Sequence, residues 1–362
     1  MNAVMLVLLA ALPAGATFPV PAAPFAPREI ACPWTARPPI VDGDPGEEAW
    51  EAAPWSEDFQ DIRGAGWPTP PLRTRVRLLW DDEALYVAAE LRETDLWATY
   101  TGHDDVIYHE HDFELFLDPD GDNHDYYELE INALGTVWDL FLTRPYRDEG
   151  TAVNAWEIAG LRSAVQLKGT LNNPGDMDHG WSVELALPWA VLGQAAHRPA
   201  PPRPGDAWRL NFSRVQWHLE VLDGAYVKRR DAATGAVLPE ENWVWSPQGL
   251  VAMHYPERWG VLRFTKADLP PPLQPEWSPD ELAAGEALMQ VYYAFRQDRA
   301  EGGAGPAPLT GAEAAPAPGW TIVTVEACGE RFTARTERED GLRLAVDETG
   351  RLRRRRPAEA GQ

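Results

Sequence analysis

The sequence predicts an all-β fold, an antiparallel β-sandwich, followed by a small C-terminal α+β appendage. Three observations carry this. Apolar and polar residues alternate with period two through residues 74–217, helical periodicity is almost absent there, and Gly, Pro and Asp punctuate the runs at short intervals. Residues 74–80 and 84–91 flank the turn-forming Asp81-Asp82-Glu83 and read as a hairpin. Residues 112–117 place Phe113, Leu115 and Leu117 on one face and Asp112, Glu114 and Phe116 on the other. In residues 126–132 the apolar set is Tyr127, Leu129 and Ile131, with Glu128, Glu130 and Asn132 opposite. Residues 181–187 separate Trp181, Val183, Leu185 and Leu187 from Ser182 and Glu184. The last long run, 208–217, turns Leu210 and Phe212 inward and leaves Asn211, Ser213 and Trp217 on the alternate side.

Proline marks the joints of the chain. Residues 18–27 and 269–275 are Pro-rich and stiff, which divides the 362 residues into a segment 1–16, an extended leader 17–33, the sandwich 34–266, a linker 267–277 and an appendage 278–362. Of the 17 Trp, 15 fall in the sandwich. Within the appendage, residues 279–297 have helical periodicity behind Ser278 as N-cap, and 302–318 is rich in Ala, Pro and Gly. Residues 320–325 and 330–334 alternate as short strands, and the run Arg353 to Arg356 reads as a solvated end. Residues 3–12 are continuously apolar and lead into Ala14-Gly15-Ala16, the small-x-small form of a signal-peptidase site, so residues 1–16 are read as a removed export signal. The protein is therefore expected to be secreted or periplasmic. An apolar run of about ten residues is too short to cross a bilayer, which takes roughly 20, and no later run qualifies. Cys32 and Cys328 would be allowed one disulfide outside the cytoplasm, and their pairing stays open.

Charge narrows the partners. Asp+Glu number 56 against Lys+Arg 32, a net charge of -24, which excludes a nucleic-acid partner because binding a polyanion depends on Lys and Arg displacing counterions. The abundance of Trp excludes disorder for most of the chain. On the polar strand faces, Asp112, Glu114, Glu128, Glu130, Asn132, Asn211 and Ser213 recur beside Phe116, Trp138 and Trp217. Carboxylates and amides supply directional partners for hydroxyl groups, and aromatic faces accept the C–H side of a sugar ring. Carbohydrate binding is the reading this supports, and an ordinary outer sheet face with core tryptophans is the competing one.

Several segments resemble the family 9 carbohydrate-binding modules and their secreted, DOMON-like relatives. These are Pro39-Ile40-Val41-Asp42-Gly43 with Glu48-Ala49-Trp50, Val76-Arg77-Leu78-Leu79-Trp80-Asp81 with Leu85-Tyr86-Val87, and Phe113-Glu114-Leu115-Phe116-Leu117-Asp118. Trp181-Ser182-Val183-Glu184, Asn211-Phe212-Ser213-Arg214, Trp245-Ser246-Pro247 and Trp259-Gly260 follow in order. The resemblance covers about residues 34–265 and implies a sandwich of immunoglobulin-like or jelly-roll type that binds sugar non-catalytically in extracytoplasmic carbohydrate catabolism. In sugar-binding members two aromatics sandwich a glycosyl unit while charged and amide groups hold its hydroxyls. By position the family's acid corresponds to Glu114, and its basic partner falls at Glu130. One aromatic falls near Tyr108 and the other near Met253, within Met253-His254-Tyr255-Pro256. The acid at Glu130 and the thioether at Met253 depart from the pattern, and Tyr255 or Trp245 could supply the second face. Together with His109 on the rim, Asp112, Asn132, Asn211, Ser213 and Trp217, these make up the expected sugar site.

Asp118, Asp120, Asp122 and Asp125 concentrate hard oxygen donors in one turn and suit Ca²⁺, with a solvated Asx-rich turn as the alternative. It is not an EF-hand, since the glycine comes at Gly121 and Leu129 stands where the bidentate Glu would be. His109-Glu110-His111 offers two imidazoles at i and i+2 but no third zinc ligand at a recognised spacing. Two enzyme or electron-transfer readings compete with sugar binding. A glycoside hydrolase would use a carboxylate pair among Glu114, Glu128 and Glu130. A haem-binding DOMON-like domain would draw on Met253 and His254, although neighbours on an extended chain point in opposite directions and CxxCH is missing.

Overall fold

The computed structural model describes residues 18–303, 315–328 and 330–356. The expected export signal, residues 1–16, lies outside the described residues. The chain forms two compact units, residues 21–278 and residues 18–20 with 279–356.

Strands are numbered here in chain order. In the first unit they are β1 Glu29–Pro33, β2 Gln60–Asp61, β3 Thr74–Trp80, β4 Ala84–Leu91, β5 Asp112–Asp118, β6 Tyr126–Asn132, β7 Val137–Leu142 and β8 Ala152–Val153. They continue as β9 Arg162–Lys168, β10 Gly180–Pro188, β11 Ala207–Gln216, β12 Leu219–Leu222, β13 Ala225–Lys228, β14 Glu241–Val244 and β15 Gly260–Thr265. Among the described residues, one sheet of this unit has nine strands, ordered β1-β15-β11-β5-β6-β7-β8, with β14 and β2 continuing from β11. The facing sheet has four, ordered β3-β4-β10-β9, and β12-β13 form a separate hairpin. Every pairing is antiparallel except β1 with β15. The leader expected to be merely extended thus supplies an edge strand, because its alternation brings Ile30 and Cys32 inward.

The core lies between the two sheets and is built from the predicted inward residues. Phe113, Leu115 and Leu117 of β5, Tyr127, Leu129 and Ile131 of β6, and Leu210 and Phe212 of β11 meet Trp181, Val183, Leu185 and Leu187 of β10. The buried faces of β3 and β4 close it, with Trp80 edge-on to Trp189 and Phe264. Cys32 is a buried free thiol in this core, and Cys328 is free and exposed.

Residues beyond each sheet are also covered. Behind the four-stranded sheet, Trp50, Leu79, Tyr86 and Ala186 form a second layer, pinned by Glu184. That carboxylate accepts the Trp50 indole N–H and the backbone N–H groups of Asp42 (3.0 Å) and Gly43 (2.8 Å). Gly43 has φ +90 and a Cβ there would sit 2.7 Å from the Gln166 backbone nitrogen, so the turn needs glycine. One buried carboxylate therefore ties Val41-Asp42-Gly43, Trp50 and Trp181-Ser182-Val183-Glu184 into a single structural unit.

In the other unit, helix α1 Pro279–Ala300 runs three residues past the predicted helix, and β16 Thr324–Cys328, β17 Arg331–Glu337, β18 Arg343–Asp347 and β19 Leu352–Arg355 form a sheet in that order. Phe295 stacks on Phe332 at 4.6 Å, and Phe18 packs against Tyr292 and Tyr293. The expected strand 320–325 starts only at Thr324, and 330–334 extends to Glu337. The basic run falls largely in strand β19 and leaves Arg353, Arg355 and Arg356 exposed, while Arg354 reaches the buried Glu281 at 3.1 Å and Arg353 reaches Asp347 at 2.6 Å.

Candidate functional site

Register fixes what the outer face of the nine-stranded sheet presents. Ser213, Glu114, Glu130 and Trp138 stand directly opposite one another across β11, β5, β6 and β7. One pair along, Asp112 faces Asn132, and in the other direction Asn211, Phe116, Glu128 and Leu140 form the next row. Carboxylates placed by period-two alternation on two neighbouring strands, β5 and β6, thus converge, and oxygens of Asp112, Glu114 and Glu130 lie within 4.8 Å of one another.

Unlike a solvated face, this one is buried. Asp112 is 0% exposed, Glu114 4%, Glu128 5% and Glu130 2%. The cover comes from Ile62, Val244, Met253 and Trp259, which pack with Phe116, Tyr126 and Leu140. Burial, more than mutual repulsion, pushes the carboxyls of Asp112, Glu128 and Glu130 up, and takes Glu114 up to about 7. Asp112 accepts the Val215 N–H through Oδ1, and Glu130 accepts the Tyr108 N–H at 2.8 Å. By contrast Asp112 Oδ2, Glu114 Oε2, Glu128 Oε2 and Ser213 Oγ are enclosed without a hydrogen-bond partner among the described residues. Ser213 is near enough to Glu114 to ease its charge but no hydrogen bond is formed.

Above this floor sits an aromatic rim. Tyr108 is 40% exposed and stacks on Trp138 with ring centroids 6.1 Å apart and planes 28° apart. His109 packs on Tyr108 and is exposed. The Trp217 indole donates to the Tyr108 carbonyl at 2.9 Å, and Lys228 Nζ lies 3.3 Å from the centre of the Trp217 ring. Burial and the carboxylates of Glu130, Glu240, Glu128 and Glu114 raise the Tyr108 hydroxyl pKa. A hydroxyl-bearing ligand would meet ring faces at the rim, with the enclosed acids beneath them.

The expected site residues do not all serve in this way. Asn132 donates to the Tyr100 carbonyl and to buried Glu110 and accepts from Leu134 and Thr136, so it holds the 132–136 turn. Asn211 exchanges two hydrogen bonds with the Ser246 backbone. Trp245, 1% exposed, packs on Phe212, and Tyr255, 2% exposed, lies under the Arg147 guanidinium. Met253 is buried, its carbonyl accepting the Trp259 indole N–H. His254 is enclosed by Phe116, Tyr126 and Tyr146, hydrogen-bonds Tyr126 at 2.8 Å and has its pKa pushed down to about 3 by burial. His111 is likewise buried, accepts the Trp217 N–H and is pushed down to about 3 by burial and then Arg214. Lys228 and Glu240 were not legible as site residues, because only the fold-back of the β12-β13 hairpin brings Lys228 here and only the chain's return into β14 brings Glu240 near Tyr108.

The acidic turn brings Asp118, Asp120 and Asp122 within 4.8 Å and leaves Asp125 outside the group, 3.6 Å from His197. Asp118, 0% exposed, accepts the N–H groups of Gly121 (2.8 Å) and Asn123 (2.9 Å). Its carboxyl is held well up by burial, then by Asp120 and Asp122, and Asp120 is raised to about 6. Three crowded carboxyls fit a hard divalent cation, whose charge would relieve their repulsion.

Fold and site together define a two-sheet β-sandwich with an aromatic rim over buried acids. Residues 41–200 match the family described as carbohydrate family 9 binding domain-like. No curated protein matches the chain. Solved structures similar to it include a protein of Bacteroides uniformis ATCC 8492 provisionally described as carbohydrate-binding (17% identity, 66% of this chain and 100% of that one, TM-score 0.47). Another is a family 9 carbohydrate-binding module of Caldicellulosiruptor kristjanssonii in complex with glucose (18% identity, 68% and 100%, TM-score 0.43).

Proposed function

We propose that the chain binds carbohydrate non-catalytically, through the outer face of the nine-stranded sheet. The observation that carries this is the set of half-exposed rings, Tyr108, Trp138 and Trp217, over Glu114 and Glu130, with Tyr108, Trp138 and both acids inside the segment that matches the carbohydrate family 9 binding domain-like family. Ring faces take the apolar side of a pyranose, and carboxyl groups with unused oxygens take its hydroxyls. Net gain per hydrogen bond is small, so affinity rests on the stacking rings. An apolar run at residues 3–12 supports export to the periplasm or medium, where breakdown of polysaccharide would use such a binder. Asp118, Asp120 and Asp122 would hold a structural Ca²⁺.

A glycan array on the purified chain, followed by calorimetry on each hit, tests the reading. Binding that weakens in Tyr108→Ala and in Glu114→Gln is expected. Every glycan keeping its affinity in both variants would overturn the site.

A further inference from the structure

At one end of the four-stranded sheet four strand termini meet. Arg73 enters β3, Arg92 leaves β4, Lys168 closes β9 and His179 leads into β10. Backbone pairing sets them in two facing couples: Arg92 N–H donates to the Arg73 carbonyl, and His179 N–H to the Lys168 carbonyl, each at 2.8 Å. Gly180, at φ +135, lets β10 start here, because a Cβ would run into the Leu91 backbone. The result is a cavity of about 360 Å³ over buried Leu91 and Trp181.

Its charge is opposite to that of the chain. Glu90 is the one acid in the lining and is taken by Arg75, at 2.7 and 3.0 Å. Among the described residues, no carboxylate pairs with Arg73, Arg92 or Lys168. In a chain of net charge -24, gathering unpaired cations around a concavity works against their mutual repulsion unless an anion joins them. Guanidinium groups match the planar fork of an oxyanion, and a lysine adds a point charge.

We propose that this cavity binds a compact oxyanion, the carboxylate or sulfate group of an acidic sugar or the free ion. It lies on the sheet opposite the aromatic rim and does not depend on the function proposed for that rim. The test is calorimetry on the full chain at low ionic strength with trigalacturonate, a neutral trisaccharide and sodium sulfate as separate arms. The Arg73→Gln/Arg92→Gln/Lys168→Gln variant is expected to weaken the anion roughly tenfold or more, with affinity also falling as salt rises. Lys168→Glu alone, at an exposed position, should move it in the same direction with the melting temperature unchanged, while Tyr108→Ala should leave it intact. Binding of trigalacturonate in this pattern identifies the acidic sugar as the source, and binding of sulfate alone identifies the free ion. Neither anion binding, or binding indifferent to the arginine and lysine changes, overturns the proposal.

Discussion

Glu184 and Glu114 occupy equivalent places, each a buried acid on the polar side of a central strand, yet they do opposite things. Glu184 accepts three N–H donors, from Trp50, Asp42 and Gly43, so its burial is compensated and it fastens the segments around it. Glu114 has an enclosed oxygen with no partner and acids for neighbours. A buried carboxylate fully supplied with donors stabilises a fold, whereas one left short is costly and is suited to a partner that brings its own hydroxyls. Asp118 stands between the two, with two backbone donors but two crowding acids.

The strongest challenge to this contrast is Glu184→Ala, which strands the Trp50 indole and two backbone donors. A loss on the order of 3 kcal/mol in denaturant unfolding is expected, and an unchanged midpoint would erase the distinction. Chelation comes next. Removing Ca²⁺ should lower the melting temperature by the equivalent of about 2.7 kcal/mol if the cation was present at a hundred times its dissociation constant. Asp118→Asn should abolish that response, and no response in the unaltered chain would remove the proposed cation. Glu114→Gln should cost glycan affinity by roughly tenfold, about 1.4 kcal/mol, while leaving stability equal or higher, the reverse of the pattern at Glu184.

Titration probes the Glu114 cluster directly. Because burial raises the folded-state pKa of Glu114 to about 7 and those of Asp112, Glu128 and Glu130 above their ordinary values, the folded chain binds protons the unfolded one has released. Stability from these groups is complete below the unfolded carboxylate range and is lost as pH rises through the folded values. Melting curves between pH 5 and 8 should therefore show stability falling with pH, by up to ~1.4 kcal/mol per unit for each titrating group, with a shallower slope in Glu114→Gln. The smallest effect concerns the rim. Trp217→Phe removes the indole bond to the Tyr108 carbonyl but keeps a ring under Lys228, so a loss of about threefold in glycan affinity, under 1 kcal/mol, is expected by calorimetry.

Much was legible beforehand where chemistry and period coincide. Phe113, Leu115 and Leu117, or Trp181, Val183, Leu185 and Leu187, could be set inward from alternation alone, and they form the core. The same alternation put Glu114 and Glu130 on one face. It could not tell that Asn132 and Asn211 would be spent on turns and a neighbouring backbone, or that Trp245 and Tyr255 would be sealed inside.

By itself, then, the sequence determined which side of each strand a residue takes, where the chain breaks, and that acids and aromatics share a sheet face, since a two-residue period and the turn-forming residues are local properties. Only the tertiary structure decided whether that face is open or covered, which carboxylates find donors, and that Arg73, Arg92, Lys168 and His179 surround one cavity. Those outcomes depend on strand order and register between segments tens of residues apart, and no local pattern encodes them.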